Sequence, residues 1–506
     1  MDWEQLKPIA QAWVVAHENE LVSFVKELVS YPSVGAVPLK GSEHPFGQAC
    51  AHLANATQAM VERYGLTWEN HSYYAITAKY AQLSLGACER PRMAFYSHLD
   101  VVPASEEGWR KPPFEPYVQD GWIFGRGSTD NKGPFASVLF ALRFLQEHDV
   151  RLNHDVVLFG GFDEETNMED VKWLVEHEPL PQINLVSDCP FPVCVAEKGI
   201  LQITVVKRLD DPALVSLEAC EAHNVVPAHA WAQVGKSQER DSMLDHAHQG
   251  TCGNACGDGA AWDMRDVQGC ERSARKASKV EGVSVSVSQQ GSLYKATGVS
   301  AHAGFPEGSV NAFVLLAQAL GQDDSLHMQT RAAFQSLAKA VDEYDGSGLG
   351  VALHDDFLGD TTVVPVAAVY EQGKLRVTLN VRYPGVVGED WMVGRLSGAF
   401  EGLGYEFFLD SASAARVCDP NDERVDLLTN LVNEELGTSL EPYAMGGATH
   451  ARWIPGALGF GPGRQRDQVL PAGVGSGHEV NEAVNIEHLK QAILIYLRAI
   501  LALDKQ

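Results

Sequence analysis

The chain has 506 residues, enough for two or three domains, and its 45% hydrophobic and 21% charged residues are ordinary for a soluble globular protein. Its formal net charge of −27 argues against binding to a nucleic-acid backbone and suits a cytoplasmic protein that handles small solutes. The N-terminal residues carry scattered charges, and no segment is apolar enough to cross a bilayer, so we expect neither a signal peptide nor membrane association. The nine cysteines form no disulfide pattern, which indicates a reducing compartment.

The first part of the sequence alternates helical and strand patterns. Helical periodicity occurs over 20–30, 47–64 and 135–147, and short apolar runs typical of buried strands occur over 93–97, 155–159 and 183–186. Strands that alternate with helices favour a largely parallel sheet with right-handed crossovers.

From about Gly199 the pattern changes to alternating, half-buried strands. Strands are predicted over 200–207, 283–288, 293–297 and 374–382, and an apolar helix over 310–320. The α/β pattern returns after Pro384 and closes with an amphipathic helix over 486–503. We therefore predict an α/β domain, a mixed, mostly parallel sheet with helices on both faces, that is interrupted by an inserted α+β domain. The expected boundaries are 1–198, 199–384 and 385–506.

Residues 237–278 have almost no apolar periodicity and contain Cys252, Cys256 and Cys270. Their spacing fits no common zinc pattern, although a metal site is one interpretation. An irregular surface insertion is a second, and a locally frame-shifted stretch of the gene is a third. The sequence leaves the three open.

Ionisable side chains follow the ends of several predicted strands. They are His98 and Asp100 after the first strand, Asp163, Glu164 and Glu165 after the second, Asp188 after the third, and Asp130 in the turn GRGSTDNKGP. Ligands in open α/β sheets bind beyond the carboxyl ends of strands. Each residue alone could be a helix cap or a solvated turn. Together, so many carboxylates at one edge would repel one another without cations, which indicates a metal site.

Ordered motifs between about His17 and Ile500 make the sequence resemble the M20 family of metallopeptidases, most closely the bacterial dipeptidases of the PepV type. The motifs are SHLDVVPA, GRGSTDNKGP, DEETNMEDVKWL, SDCPFPVCVAEKG, SAHAGFPEGSVNA, NVRYP, GGATHARW and SGHEVNE. The resemblance implies that the α/β domain is catalytic and that the inserted domain is a lid over it.

The resemblance also implies two divalent ions, which we expect to be Zn²⁺, with Mn²⁺ or Co²⁺ as alternatives. The first ion would be bound by His98 and Asp188, the second by Glu165 and His478, and Asp130 would bridge both. Asp100 would orient the His98 ring. The family has a cis peptide after the bridging aspartate, so Asp130–Asn131 is expected to be cis despite a cost of about 3 kcal/mol.

The remaining roles implied by the resemblance concern catalysis and the substrate. Glu164 would be the general base. It would take a proton from the water that bridges the two metals and pass that proton to the leaving amine. His302 would stabilise the oxyanion. The residues expected to hold the substrate are Asn224, Arg382, Gly446, Gly447 and Thr449.

The expected function is therefore that of a dimetal-dependent dipeptidase whose substrates have a free C-terminal carboxylate. Two alternatives stay open: an M20-type amidohydrolase that deacylates N-acyl amino acids, and a metal-binding protein with defective catalysis. The long insertion predicts a monomer in which His302, Asn224 and Arg382 act in cis. One position departs from the pattern, because PepV-type dipeptidases typically have tyrosine where this chain has His450.

Overall fold

The computed structural model describes residues 2–36, 41–81, 91–220, 224–235, 280–288, 291–419, 421–463 and 469–505. The stretch 237–278, including its three cysteines, lies outside the described residues, so the three interpretations of it stay open. The chain divides into two compact units. The first comprises Met1–Ala196, Val417–Ala444 and Ala448–Gln506, and the second comprises Glu197–Arg416 and Met445–Gly447.

The α-helices among the described residues include five that correspond to the predicted helices over 20–30, 47–64, 135–147, 310–320 and 486–503, and the others were not predicted. In chain order, the helices are α1 (Trp3–Ala16), α2 (Glu18–Val29), α3 (Gln48–Glu62), α4 (Gly133–Glu147), α5 (Glu169–His177), α6 (Ala312–Leu320), α7 (Met328–Val341), α8 (Glu389–Gly402), α9 (Glu423–Leu436) and α10 (Ile486–Leu503). Within the described part of the chain, no helix is both long and apolar enough to cross a membrane.

The strands are numbered in chain order. They are β1 (Thr67–His71), β2 (Ala75–Tyr80), β3 (Arg92–His98), β4 (Tyr117–Gln119), β5 (Trp122–Phe124), β6 (Asp155–Gly161), β7 (Ile183–Val186), β8 (Cys194–Glu197), β9 (Gly199–Arg208), β10 (Leu214–Cys220), β11 (His229–Gly235), β12 (Val283–Ser288), β13 (Gly291–Thr297), β14 (His354–Asp355), β15 (Gly359–Asp360), β16 (Thr362–Glu371), β17 (Lys374–Tyr383), β18 (Glu406–Ser413), β19 (Arg416–Val417), β20 (Tyr443–Met445), β21 (Leu458–Gly459) and β22 (Ala483–Asn485).

The sheet of the first unit has the order β1-β2-β6-β3-β7-β21-β8-β19. Its central pairs, β6 with β3, β3 with β7 and β7 with β21, are parallel. The pairs β1 with β2, β2 with β6, and β21 with β8 are antiparallel. The parallel centre confirms the predicted α/β class and brings the carboxyl ends of β3, β6 and β7 to one edge.

Helix α4 is the central helix of the first unit, and it is buried at every position from Gly133 to Leu145. Its sequence from Gly133 to Leu145 is apolar except at Ser137 and Arg143, which is typical of a helix enclosed by a core. The Ser137 hydroxyl donates a hydrogen bond to the carbonyl of Leu489 in α10 at 3.3 Å, which ties the two helices together. This packing fixes the N-terminus of α4, which directly follows the Asp130 turn.

The second unit contains an antiparallel sheet of order β12-β13-β11-β10-β16-β17-β9-β18, with α6 and α7 contributing to its core. Strand β9 pairs with β17 on one side and with β18 on the other. The unit therefore continues to Arg416, beyond the expected boundary at residue 384, because β18 completes the sheet on β9. In β17 the side chains of Leu375, Val377, Leu379 and Val381 are buried, as the alternation predicts.

Candidate active site

The carboxyl ends of three parallel strands place most of the predicted metal ligands. Strand β3 ends at His98, β6 is followed by Glu164 and Glu165, and β7 is followed by Asp188. Because β3 pairs in parallel with both β6 and β7, these residues emerge from the same edge of the sheet.

Asp130 reaches the same place from the turn before α4. The Asp130–Asn131 peptide bond is cis, as expected. The main-chain N–H groups of Thr129 and Asp130 donate to Oε1 of Glu482 at 3.0 and 3.2 Å. The amide of Asn131 donates to Oδ1 of Asp188 at 2.8 Å, so the turn is held from two sides.

The two carboxylate oxygens of Asp130 face two different imidazoles. Oδ1 lies 2.9 Å from Nε2 of His98, and Oδ2 lies 3.3 Å from Nε2 of His478. Asp188 completes the His98 side, with Oδ2 at 3.8 Å from Nε2 of His98. Glu165 completes the His478 side, with Oε2 at 2.9 Å from Nε2 of His478. This arrangement is what a carboxylate shared between two cations requires.

Asp100 contacts the other side of the His98 ring. Nδ1 of His98 lies 3.1 Å from the Asp100 carbonyl oxygen and 3.4 Å from its Oδ1, and both residues are fully buried. Oδ2 of Asp100 accepts a hydrogen bond from the main-chain N–H of Glu165 at 3.0 Å. Asp100 therefore orients the His98 ring and the backbone of Glu165 at once.

Glu164 is buried, and its Oε1 has no hydrogen-bond partner among the described residues. One ligand atom each from His98, Glu164 and Asp188 lies within 4.8 Å of the others, and the same is true of His98, Asp130 and Glu165. An unpartnered buried carboxylate is costly unless a ligand or ion supplies its partner. Oε1 of Glu164 is thus available to an ion or ligand held at this cluster.

Burial and the closeness of several carboxylates shift the pKa values of the acidic residues in this cluster. Burial and then the Asp188 carboxylate raise the pKa of Glu164 well above its usual value. Burial and then the Asp130 carboxylate raise the pKa of Asp188 to about 7. Burial disfavours the charged form of Asp130, but hydrogen bonds from His478 and His98 outweigh it and hold the pKa of Asp130 below its usual range.

The pKa values of the two imidazoles are raised as well, which favours their charged forms. Burial opposes the charged form of His478, but the carboxylates of Glu165 and Asp130 outweigh burial and raise its pKa to about 12. Burial likewise opposes the charged form of His98, and hydrogen bonds to Asp100 and Asp130 raise its pKa well above the usual value. Carboxylates with two imidazoles are a donor set that zinc, manganese and cobalt accept, so the residues fit divalent cations.

Two residues that the sequence analysis did not single out, Arg126 and Glu482, hold the ligands in place. The Arg126 guanidinium pairs with Oε2 of Glu482 at 2.6 Å, and it donates to the carbonyl of His478 at 3.2 Å. His478 has a φ of 66°, which is unfavourable for a residue with a Cβ and needs such support. Both residues lie inside quoted motifs, GRGSTDNKGP and SGHEVNE, but only the contacts reveal their role.

The predicted substrate-binding residues of the second unit contact one another. Nε of Arg382 donates to Oδ1 of Asn380 at 2.8 Å, and NH1 donates to the carbonyl of Gly446 at 3.1 Å. A Cβ on Gly446 would lie 3.0 Å from the Phe305 ring, so a larger residue there would have to displace the ring. Gly447 continues the same segment.

His302 and Asn224 lie on neighbouring segments of the same unit. Residues 225 and 302 form an antiparallel bridge, and the N–H of Ala303 donates to the carbonyl of Asn224 at 2.7 Å. The N–H of Gly304 donates to Nδ1 of His302 at 3.1 Å, which places the ring proton on Nε2. Thr449 belongs to the first unit, where its hydroxyl accepts from the N–H of Ala451 at 3.2 Å.

A parallel central sheet with acidic and imidazole side chains at the strand ends is an arrangement that metal-binding α/β enzymes use. The sequence model of peptidase family M20/M25/M40 matches residues 94–502, and the chain belongs to this family. The assignment made from the motifs is confirmed, and with it the hydrolase class. The chain is 25% identical to a Beta-Ala-Xaa dipeptidase of Lactobacillus delbrueckii subsp. lactis over 497 residues, which is 97% of each chain.

Solved structures agree on the fold. Human carnosine dipeptidase 1 is similar with a TM-score of 0.58 and 13% identity, covering 98% of this chain and 99% of that one. The dipeptidase Dug1p of Saccharomyces cerevisiae is similar with a TM-score of 0.57 and 11% identity, covering 98% of both chains. At these identities the likeness shows the fold alone.

Proposed function

We propose that this chain is a dimetal-dependent dipeptidase that hydrolyses dipeptides with a free C-terminal carboxylate. The observation that carries the proposal is the placement of the two Asp130 oxygens, 2.9 Å from His98 and 3.3 Å from His478. The family membership and the dipeptidase relative of matching length support it.

The metal-binding residues would divide into two sets that share Asp130. His98 and Asp188 would hold one ion, and Glu165 and His478 the other. When bound, a pair of divalent ions polarises the substrate carbonyl and acidifies water near neutral pH. Zinc is the proposed metal, with manganese or cobalt as alternatives, because carboxylate-rich sites with two imidazoles accept all three.

Glu164 is the proposed general base. Its buried carboxylate takes a proton from the attacking water and then delivers that proton to the leaving amine as the carbon–nitrogen bond breaks. The raised pKa of Glu164, caused by burial and then by Asp188, favours the second half of this transfer, because the carboxyl holds the proton until the amine takes it.

Residues of the second unit would recognise the substrate. The Arg382 guanidinium, oriented by Asn380, suits a planar carboxylate, and we assign it to the free C-terminus of the dipeptide. His302, with its proton on Nε2, would donate to the developing oxyanion. Asn224, Gly446, Gly447 and Thr449 complete the proposed substrate-binding set.

The test compares dipeptides, dipeptide amides and N-acetyl amino acids as substrates for the metal-loaded protein. We expect hydrolysis of dipeptides with a free carboxylate and little hydrolysis of the other two classes. Arg382→Ala should raise KM for dipeptides and affect the slow cleavage of amides far less. Arg376→Ala, at an exposed position of the same strand, is the control. Faster cleavage of N-acetyl amino acids than of dipeptides would support the deacylase alternative and contradict the proposal.

We further propose that the working form is a monomer whose own second unit supplies His302. His302→Ala should lower kcat by about 10²–10³, the range for a lost oxyanion donor. His354→Ala, which alters an exposed histidine of the same unit, is the matched control. Activity regained on mixing Glu164→Ala and His302→Ala chains would show that sites are shared between chains.

A further inference from the structure

The loop that carries Glu164 and Glu165 is closed by the side chains of Asp163 and Asp170, which accept hydrogen bonds from main-chain N–H groups at its two ends. The N–H of Asp163 donates to Oδ2 of Asp170 at 3.0 Å, and the N–H of Glu169 donates to Oδ2 of Asp163 at 3.0 Å. These two hydrogen bonds join the start of the loop to its end. The position of both glutamates therefore depends on where Asp170 is held.

His450 fixes the far side of this closure. Its Nε2 lies 3.2 Å from Oδ2 of Asp170, the same oxygen that accepts the N–H of Asp163. The side chains of Asp170 and His450 are fully buried. Nδ1 of His450 has no partner within the described part of the chain, so a proton on Nε2, donated to Asp170, satisfies the pair best.

The backbone at the end of β6 packs closely against the pair. A Cβ on Gly161 would lie 2.0 Å from Oδ2 of Asp170 and 3.0 Å from Cε1 of His450, so only glycine fits at the end of β6. The His450 ring also lies edge-on to that of His98, with centroids 6.4 Å apart. His450 thus lies behind the predicted metal ligands without being one of them.

We propose that His450 is a positioning residue which, through Asp170, holds the 163–170 loop so that Glu164 and Glu165 face the reaction. The proposal rests on the proposed function for its catalytic consequence. It predicts that the hydrogen-bond donor, not the imidazole as such, is what the position requires. Tyrosine, which PepV-type dipeptidases typically have at this position, also carries a hydrogen-bond donor.

The decisive comparison is between His450→Phe and His450→Tyr, which differ by one hydroxyl. We expect His450→Phe to lower kcat by about 10–100-fold, the range seen when a partner of an active-site ligand is removed, with KM nearly unchanged. His450→Tyr should retain most of the activity. Because a larger ring can strain a full core, Asp170→Asn serves as a second variant, and it should resemble His450→Phe.

A second readout does not depend on metal or turnover. Hydrogen exchange of the chelated protein should be faster at the amides of Asp163, Met168 and Glu169 in His450→Phe than in the parent, because the closure is weakened. The matched control is Asp504→Ala, which breaks another largely buried pair of the first unit, His154 Nδ1 to Asp504 Oδ1 at 3.0 Å. It should leave kcat and the exchange of the 163–170 loop as in the parent.

The outcomes separate the two hypotheses. Faster loop exchange and lower kcat in both His450→Phe and Asp170→Asn support the proposal. Loop exchange unchanged in both variants overturns it, whatever happens to kcat. A parent protein that cleaves no dipeptide would remove the proposed function, but the exchange measurement would still decide whether His450 holds the loop.

Discussion

The main-chain N–H of Glu165 donates to Oδ2 of Asp100 at 3.0 Å, while the backbone and side chain of Asp100 face Nδ1 of His98. One buried aspartate therefore links two predicted ligands, one from β3 and one from the loop after β6. Because residues behind a metal ligand fix its orientation and basicity, both predicted metal sites depend on Asp100.

Replacement of Asp100 tests this link. Asp100→Ala should weaken metal binding by about 10–100-fold, the usual effect of removing a partner of a ligand histidine. Metal retained after gel filtration, measured by elemental analysis, is the readout. Asp356→Ala removes a fully exposed aspartate of the second unit, and it should bind metal like the parent. Equal metal retention in the two variants would contradict the role assigned to Asp100.

Adjacent glutamates should separate chemistry from metal binding. Glu164→Gln should lower kcat by roughly 10²–10⁴, the contribution of a positioned general base, while metal content stays close to that of the parent. Glu165→Gln should lose metal as well as activity, because its carboxylate lies 2.9 Å from Nε2 of His478. Elemental analysis with steady-state kinetics distinguishes them, and a loss of metal from Glu164→Gln would make Glu164 a ligand instead of the base.

Metal binding should release protons, and their number should depend on pH. The Glu165 and Asp130 carboxylates outweigh burial and raise the pKa of His478 to about 12, so this histidine carries a proton near neutral pH. A metal ion bound to His478 displaces that proton. Asp188, with a pKa raised to about 7 by burial and Asp130, is protonated below that pH and ionised above it. Apparent affinity should therefore rise with pH, and about one proton fewer should be released at pH 8 than at pH 6.

Calorimetric titration of the chelated protein in buffers of different ionisation enthalpy measures this release. Asp188→Asn is the informative variant, because it removes a carboxyl whose pKa is raised to about 7. The difference in proton release between the two pH values should shrink in that variant. A difference as large as in the parent would assign the titration to another group.

The buried ion pair between Arg126 and Glu482 gives a prediction about stability. Arg126→Met leaves the Glu482 carboxylate buried without its cation and should lower the free energy of unfolding by about 3–5 kcal/mol. Arg126→Met with Glu482→Gln removes both charges and should recover part of that loss. Arg63→Met breaks a half-exposed pair with Glu27 at 3.5 Å and should cost about 1 kcal/mol or less. Urea unfolding compares them, and equal losses for Arg63→Met and Arg126→Met would contradict the argument.

The sequence by itself determined the elements and the chemistry. The periodicity over 135–147 corresponds to α4, the run over 93–97 to β3, and the amphipathic pattern over 486–503 to α10. These elements could be predicted because the spacing of apolar residues along a segment is a local property of the sequence. The motifs likewise predicted His98, Asp130 and His478 as metal ligands. The family match confirms the resemblance from which that prediction was made.

Only the tertiary structure decided which groups face each other. Nothing local to Glu482 indicates that it accepts the N–H groups of Thr129 and Asp130, more than 350 positions earlier in the chain. The same holds for His450 and Asp170, and for the continuation of the second unit through β18. Hydrogen bonds and strand pairs of this kind depend on the positions of distant segments, and those positions are fixed by packing of the whole core and not by any pattern within one segment.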